Sequence, residues 1–407
     1  MTAVTFYFQV HQPHRLRRLK GEAAAPAGTR RSPFDNPLDR MILERVAERC
    51  YLPMNRLLLD AIEETGGAFR CAFALTGTVI DQLEAWAPEA LDSFVALADS
   101  GAVEFVCETS HHSLASQGDQ REFEAQIRSH RARLTDLFGT EPVSFRNTEL
   151  IFDDQVAQTV EGLGFDVLLG EGADQLLAGR SPRQVYRHGG CRHLKLLLRD
   201  YLFSDDIAFR FSNKEWESHP LMADTFVSWL RMARPDDRFI GLYMDYETFG
   251  EHQARDTGIF DFMEHVPRFA LEEPGLRFLT PREVAAENEP VEELCVPSPI
   301  SWADAERDLS AWLANPLQRS AHEALYALLP SIHESGDAQL LDDWRRLSTS
   351  DHVYYMSTKH QSDGDVHEYF SPYDSPHDSF MVFMDVLDDL QHRVRERLEN
   401  EPGALQP

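Results

Sequence analysis

Seven short apolar runs, at residues 4–10, 69–75, 103–107, 143–145, 166–169, 194–198 and 239–244, limit the folds open to this chain more than any other feature. Each is mostly apolar, with no more than two polar residues, rather than strictly alternating, which is the pattern of strands buried on both faces. Between them lie longer amphipathic stretches such as LDRMILERVAERCYLPMNRLLLDAIEETGG (38–67) and DQLEAWAPEALDSFVALADSG (81–101). The second ends in Gly101, a helix C-cap residue. Strands alternating with helices predict a parallel sheet covered by helices, and seven such units predict a (β/α)7 barrel over residues 1–288, TIM-like but one unit short of eight. After LTPREVAAENEP (279–290) the strand runs stop. Residues 301–330, 337–356 and 378–400 carry helical patterns, so a C-terminal α-helical region is expected over 289–400, closing on the active site. Residues 20–37 are dense in Pro and Gly and predict a long loop over the barrel mouth, and the tail EPGALQP (401–407) is expected to be loose.

Charge narrows the choice of partners. There are 68 acidic and 39 basic residues, a net charge of −29, which argues against nucleic acid and against anionic membrane surfaces. No stretch approaches the ~18 consecutive apolar residues of a membrane span. No basic region precedes the first apolar run, so no signal peptide is read and the cytoplasm is the expected location. Only four of the basic residues are lysine (20, 195, 214 and 359), and such an acidic, lysine-poor surface is the kind expected in a salt-rich cytoplasm. The five cysteines (50, 71, 107, 191 and 295) are scattered without a CxxC pair, so buried free thiols are expected rather than disulfides or structural zinc.

In a βα barrel the C-terminal ends of the strands converge on one mouth, whatever their separation in sequence. Applied here, that rule gathers His11, Gln12 and Pro13; Glu108, His111 and His112; Arg146, Asn147 and Glu149; Glu171; and Asp245, Glu247 and His252. Taken singly each has a plain structural reading: a satisfied histidine, a helix N-terminal carboxylate at Glu149, or turn charges at Glu247 and Glu251. Their recurrence at five of the seven strand ends is what predicts an active site. Carboxylates, histidines and aromatics without a Gly-rich phosphate loop or a nucleophile elbow suit glycosidic cleavage. The acid in that chemistry needs a raised pKa, and Tyr243, Met244 and Phe249 provide apolar surroundings for Asp245. Two other classes compete. One is a metal-dependent carbohydrate deacetylase using His11, His111, His112 and Asp245, although no HxxxH-type spacing is present and no metal is expected. The other is a glucan-binding protein without catalysis.

Five segments in order, FQVHQP (8–13), GAVEFVCETSHHSL (101–114), FRNTELIF (145–152), MDYETFGEHQ (244–253) and SWADAERDLSAWL (301–313), resemble glycoside hydrolase family 57, nearest its shorter α-amylase-like members. The likeness runs from residue 4 to about 390 and takes in the late segment TSDHVYYMSTKHQSDGDVHEYFSPYDSP (349–376). It implies a (β/α)7 barrel followed by helices, and cleavage of α-1,4-glucan or maltooligosaccharide by a retaining double displacement with no cofactor. Transfer, as in a 4-α-glucanotransferase or a branching enzyme, is the alternative outcome. By motif, Glu149 is the implied nucleophile and Asp245 the general acid/base. Glu247 is expected to orient Asp245 or hold the sugar. His11, Gln12, Glu108, His111, His112, Asn147 and His252 are the other implied substrate contacts, and Trp302 is an aromatic closing over the glucan. The chain departs from the resemblance at Gln9, where many members carry a histidine, so one sugar contact is expected to differ.

Overall fold

The computed structural model describes residues 1–19, 32–232, 234, 236–359 and 371–400. Residues 20–31 of the expected mouth loop, 360–370 of the late motif and the tail 401–407 lie outside that set. Among the described residues there are ten strands: β1 (Thr2–Val10), β2 (Cys71–Leu75), β3 (Val103–Phe105), β4 (Ser144–Arg146), β5 (Val167–Glu171), β6 (Tyr186–His188), β7 (Lys195–Arg199), β8 (Phe239–Asp245), β9 (Leu276–Phe278) and β10 (Glu292–Leu294). Parallel pairing links β3–β2–β1–β8–β7–β5–β4. The Cys107–Phe145 bridge then joins the two ends, with the Arg146 N–H donating to the Cys107 carbonyl at 2.9 Å. A nearly closed parallel barrel of seven strands results, and each of the seven apolar runs supplies one of them.

The remaining strands, β6, β9 and β10, have three residues each, too few to show a periodicity. β6 runs antiparallel to β7, β10 adds to β6, and β9 lies beside the first residues of β1. Two seams of the barrel are thin. One is the β3–β4 bridge, and the other is β7–β8, where Arg199 pairs with Gly241. A Cβ on Gly241 would sit 2.7 Å from the Leu198 carbonyl oxygen, so only glycine permits that approach.

Side-chain parity separates two apolar layers. On β1, Val4, Phe6, Phe8 and Val10 join a cluster with residues of the surrounding helices, including Tyr51, Leu58, Phe94 and Val266. Ala3 and Tyr7 join a second cluster with Ala72, Ala74, Val106, Val167, Leu169, Leu197, Phe239 and Tyr243, which fills the barrel interior. The alternation of period two therefore decides what faces inward at the mouth. Three of the turns leaving strand ends start helices with side-chain caps: Thr76 accepts from the Val79 N–H, Asp153 from Val156 and Asp200 from Phe203. All five cysteines are free thiols, and Cys295 is exposed where burial was expected.

The chain divides into two compact units. The first comprises Met1–Gln12, Met41–Ser110 and Glu124–Trp302, so residues 289–302 go with the barrel. The second takes in Pro13–Arg40, His111–Phe123 and the residues from Ala303 onward. Its core packs Leu325, Leu329, Trp344, Phe383 and Leu387 from the helices Pro316–Ser335, Ala338–Leu347 and Pro376–Glu399, together with Leu16 and Phe34. The indole N–H of Trp344 donates to the Leu325 carbonyl at 2.9 Å, and Arg345 pairs with Glu122 at 2.7 Å. No helix among the described residues is long and apolar enough to cross a membrane.

Candidate active site

Parity places Tyr7 and Gln9 of β1, Arg146 of β4, Glu171 of β5, Arg199 of β7 and Asp245 of β8 on the inner face at the C-terminal ends of the strands. Glu108, one residue beyond the bridge at Cys107, joins them. Gln9, Glu108, Arg146, Glu171 and Arg199 are buried, and Asp245 is half-buried. The carboxylates and guanidinium groups alternate around this ring. Arg146 Nη1 lies 3.5 Å from Glu108 Oε2, and Arg199 Nη1 lies 3.3 Å from Glu171 Oε2. Burial pulls Arg146 down, but Tyr7, Glu108, Glu149 and Asp245 outweigh it and raise its pKa, so the cation is permanent.

Gln9, where the resemblance expects a histidine, is buried. Its Oε1 accepts from the Tyr7 hydroxyl at 2.6 Å, and its Nε2 donates to Glu108 Oε1 at 2.8 Å. The Glu108 backbone N–H donates to His130 Nδ1 at 3.0 Å, while His130 Nε2 donates to the Leu75 carbonyl at 2.7 Å. Acceptance at Nδ1 requires the neutral ring, with the proton on Nε2, and burial lowers the His130 pKa in the same direction. Glu108 is thus clamped from β1, β4 and the helix Gln120–Phe138.

Glu149 stands on a strained turn. Glu149 and Leu150 have φ of 56° and 52°, the left-handed region that residues with a Cβ seldom occupy. Strain of this kind, roughly 1–3 kcal/mol per residue, persists only where the surroundings over-determine it. Here the Asn147 side-chain amide donates to the Ile151 carbonyl at 2.9 Å, and the Trp302 N–H donates to the Glu149 carbonyl at 3.2 Å. The indole N–H of Trp302 then donates to Glu149 Oε2 at 2.7 Å. The Trp302 ring rests on two guanidinium groups, Arg146 at 5.2 Å and Arg199 at 5.7 Å. Asn147, expected to touch substrate, spends its amide on shaping the turn, and Trp302 grips the carboxylate as well as offering a ring.

The other carboxyls follow β8. Asp245 ends the strand in register with Gln9. Glu247 is buried and takes the Tyr51 hydroxyl on Oε1 at 2.5 Å and a hydrogen bond from Gln12. Burial, and then the charge of Asp245, pushes Glu247 up to about 8, so it is a neutral acid at pH 7. Loss of water around its ring brings His252 down to about 4. Tyr51 comes from a π-helical turn, Ala47–Tyr51, that Pro53 follows. Proline has no N–H for the Arg49 carbonyl, and a Cβ on Gly250 (φ 112°) would collide with that oxygen. The glycine of DYETFG therefore lets the chain press against the turn that carries Tyr51.

His11 Nδ1 is 3.0 Å from the Thr76 hydroxyl, beside Gln12, whose carbonyl accepts from Gln82 at 2.9 Å. His111 and His112 belong to the second unit, where His111 Nε2 lies 4.0 Å from Asp342 and the His112 carbonyl accepts from the Ser350 N–H. Among the described residues, no three His, Cys, Asp or Glu side chains are grouped to hold a metal ion. Sequence reasoning gathered Arg146 at the mouth without assigning it a role, and it did not name Arg199, Tyr7 or Tyr51. The two arginines had a signal, a lone charge at an inward position of an apolar strand. Tyr51, 196 residues from Glu247, had none.

The model of Glycosyl hydrolase family 57 matches residues 5–297. A protein of Methanocaldococcus jannaschii described as "Putative alpha-amylase" is 38% identical over 407 residues, covering 97% of this chain and 85% of that protein. Among solved structures, a GH57 branching enzyme from Thermococcus kodakaraensis superposes with a TM-score of 0.71 at 14% identity, over 100% of this chain and 92% of the enzyme. The 4-alpha-glucanotransferase from Thermococcus litoralis gives 0.58 at 14% identity over 90% of this chain, which spans only 54% of that enzyme. The solved structures share the fold, and the family match and the close relative carry the membership: this chain belongs to glycosyl hydrolase family 57.

Proposed function

We propose that the chain cleaves α-1,4-glucan with retention, with Glu149 as nucleophile and Asp245 as general acid/base. The observation that carries the assignment is the strained turn that presents Glu149, with its carboxylate held by an indole N–H and lying in the field of the buried Arg146. In the first step Glu149 attacks the anomeric carbon while Asp245 gives its proton to the departing glycosidic oxygen. In the second, Asp245 takes a proton from the incoming hydroxyl, whose oxygen displaces Glu149. Water as the acceptor gives hydrolysis, and a sugar hydroxyl gives transfer. Glu247, Gln12, His11, His252 and the Trp302 ring are the proposed sugar contacts, with Glu108 and Asn147 acting behind them. The similarity to the "Putative alpha-amylase" favours hydrolysis.

Maltoheptaose digestion with separation of products by length tests this. Shorter sugars alone support hydrolysis, and longer ones alongside them support transfer. Glu149→Ala is expected to lose about 10³-fold or more of kcat, and Asp245→Ala about 10²–10⁴-fold. A folded chain inert on maltoheptaose would overturn the α-glucan reading.

A further inference from the structure

Arg146 differs from Arg199, the other arginine of the inner ring. It is fully buried, yet none of its three guanidinium nitrogens has a hydrogen-bond partner among the described residues. Arg199, by contrast, donates to the Tyr243 carbonyl at 2.8 Å and to Asp205 at 2.5 Å. A buried cation left without hydrogen bonds is costly, and it persists where the charge itself is used. The charged and titratable groups around Arg146 come from four elements: Tyr7 of β1, Glu108 after β3, Glu149 on its own turn and Asp245 of β8. Arg199, with Glu171 beside it, lies 5.7 Å from the same Trp302 ring.

We propose that Arg146 is the positioning residue of the nucleophile, keeping Glu149 ionised by its charge and fixing the indole that holds Glu149 by lying against its face. Two features support this. Glu108, Asp245 and Glu149 are brought to one mouth, and carboxyls crowded together protonate unless a cation lies among them. The guanidinium lies 5.2 Å from the Trp302 ring, whose N–H is the donor to Glu149 Oε2. One cation thus acts on the carboxylate both directly and through the indole. The inference rests on Glu149 being the nucleophile.

The test reads the Glu149 carboxyl itself, by carbon-13 titration of side-chain-labelled full-length chain, with the resonance assigned by its loss in Glu149→Gln. Arg146→Gln is expected to raise the Glu149 midpoint by about 1–3 pH units. Arg146→Lys, which keeps the charge, should leave it within a few tenths of a unit. Trp302→Phe, which keeps the ring and loses the donor, should raise it by a smaller step. The acidic limb of kcat/KM on maltoheptaose should move with the midpoint. An unchanged midpoint in folded Arg146→Gln overturns the proposal whether or not the chain is active, whereas inactivity of the unaltered chain on maltoheptaose overturns only the α-glucan reading. Where Arg146→Gln does not fold, Glu108→Gln/Arg146→Gln against Glu108→Gln alone makes the same comparison, because cation and nearest anion leave together.

Discussion

Glu247 is a carboxyl that burial and the neighbouring Asp245 push from the ordinary 4.5 up to about 8. Between those values the folded chain holds a proton there that the unfolded chain has lost. Stability from this site is therefore complete below about pH 4.5 and falls as pH rises towards 8, by about 1.4 kcal/mol per unit at most. Glu247→Gln, which mimics the neutral acid, should flatten that part of the curve. The check is urea unfolding of both proteins at intervals from pH 5 to 9, where parallel curves would contradict the neutral carboxyl. Gln9 makes a different kind of prediction. Because it joins the Tyr7 hydroxyl to Glu108 rather than facing the cleft, Gln9→Ala should leave two buried groups short of a partner and cost about 1–3 kcal/mol. A mere sugar contact would raise KM and leave unfolding unchanged. The sequence marked Gln9 as a departure from the family pattern, but its partner lies 99 residues away and only folding joins them.

At the scale of elements, the contrast lies between strands and the turns that follow them. The strands were readable because burial on both faces leaves a mostly apolar run, and each of the seven runs became a barrel strand. The turns were not, because their shape comes from contacts between distant segments. Glu149 takes a left-handed conformation that nothing in FRNTEL announces, and Trp302, 153 residues later, helps to hold it there. Gly250 is the case where a motif letter has a purely steric reason. Gly250→Ala should force the DYETFG turn away from Arg49, costing roughly 1–3 kcal/mol. It should also lengthen the Tyr51–Glu247 hydrogen bond, so kcat should fall together with the melting temperature. Unaltered kcat with lowered stability would mean that the turn and the π-helical segment are not coupled.

For the whole molecule, the net charge of −29 sets the terms of stability. Self-repulsion of so many acids opposes compaction, and salt screens it. We propose that the chain is adapted to a salt-rich interior and expect its melting temperature to rise between low salt and molar KCl, as read by differential scanning calorimetry. No rise would refute that adaptation. Composition carries this property because it depends on how many charges there are and hardly on where they sit. The (β/α)7 order was equally open to reading, since strand periodicity and apolar runs are local. The division into units was not: residues 13–19, 32–40 and 111–123 belong with the helical unit, where Leu16 and Phe34 find their apolar partners. So the amino-acid order alone settled the barrel, its seven strands and the segments that reach its mouth, all of which depend on neighbours in the chain. Folding alone decided which of those residues touch. Glu108 is clamped by Gln9, Glu149 is held by Trp302 over Arg146, and Glu247 is kept neutral beside Tyr51, because distances and burial between remote segments exist only once the ring has closed.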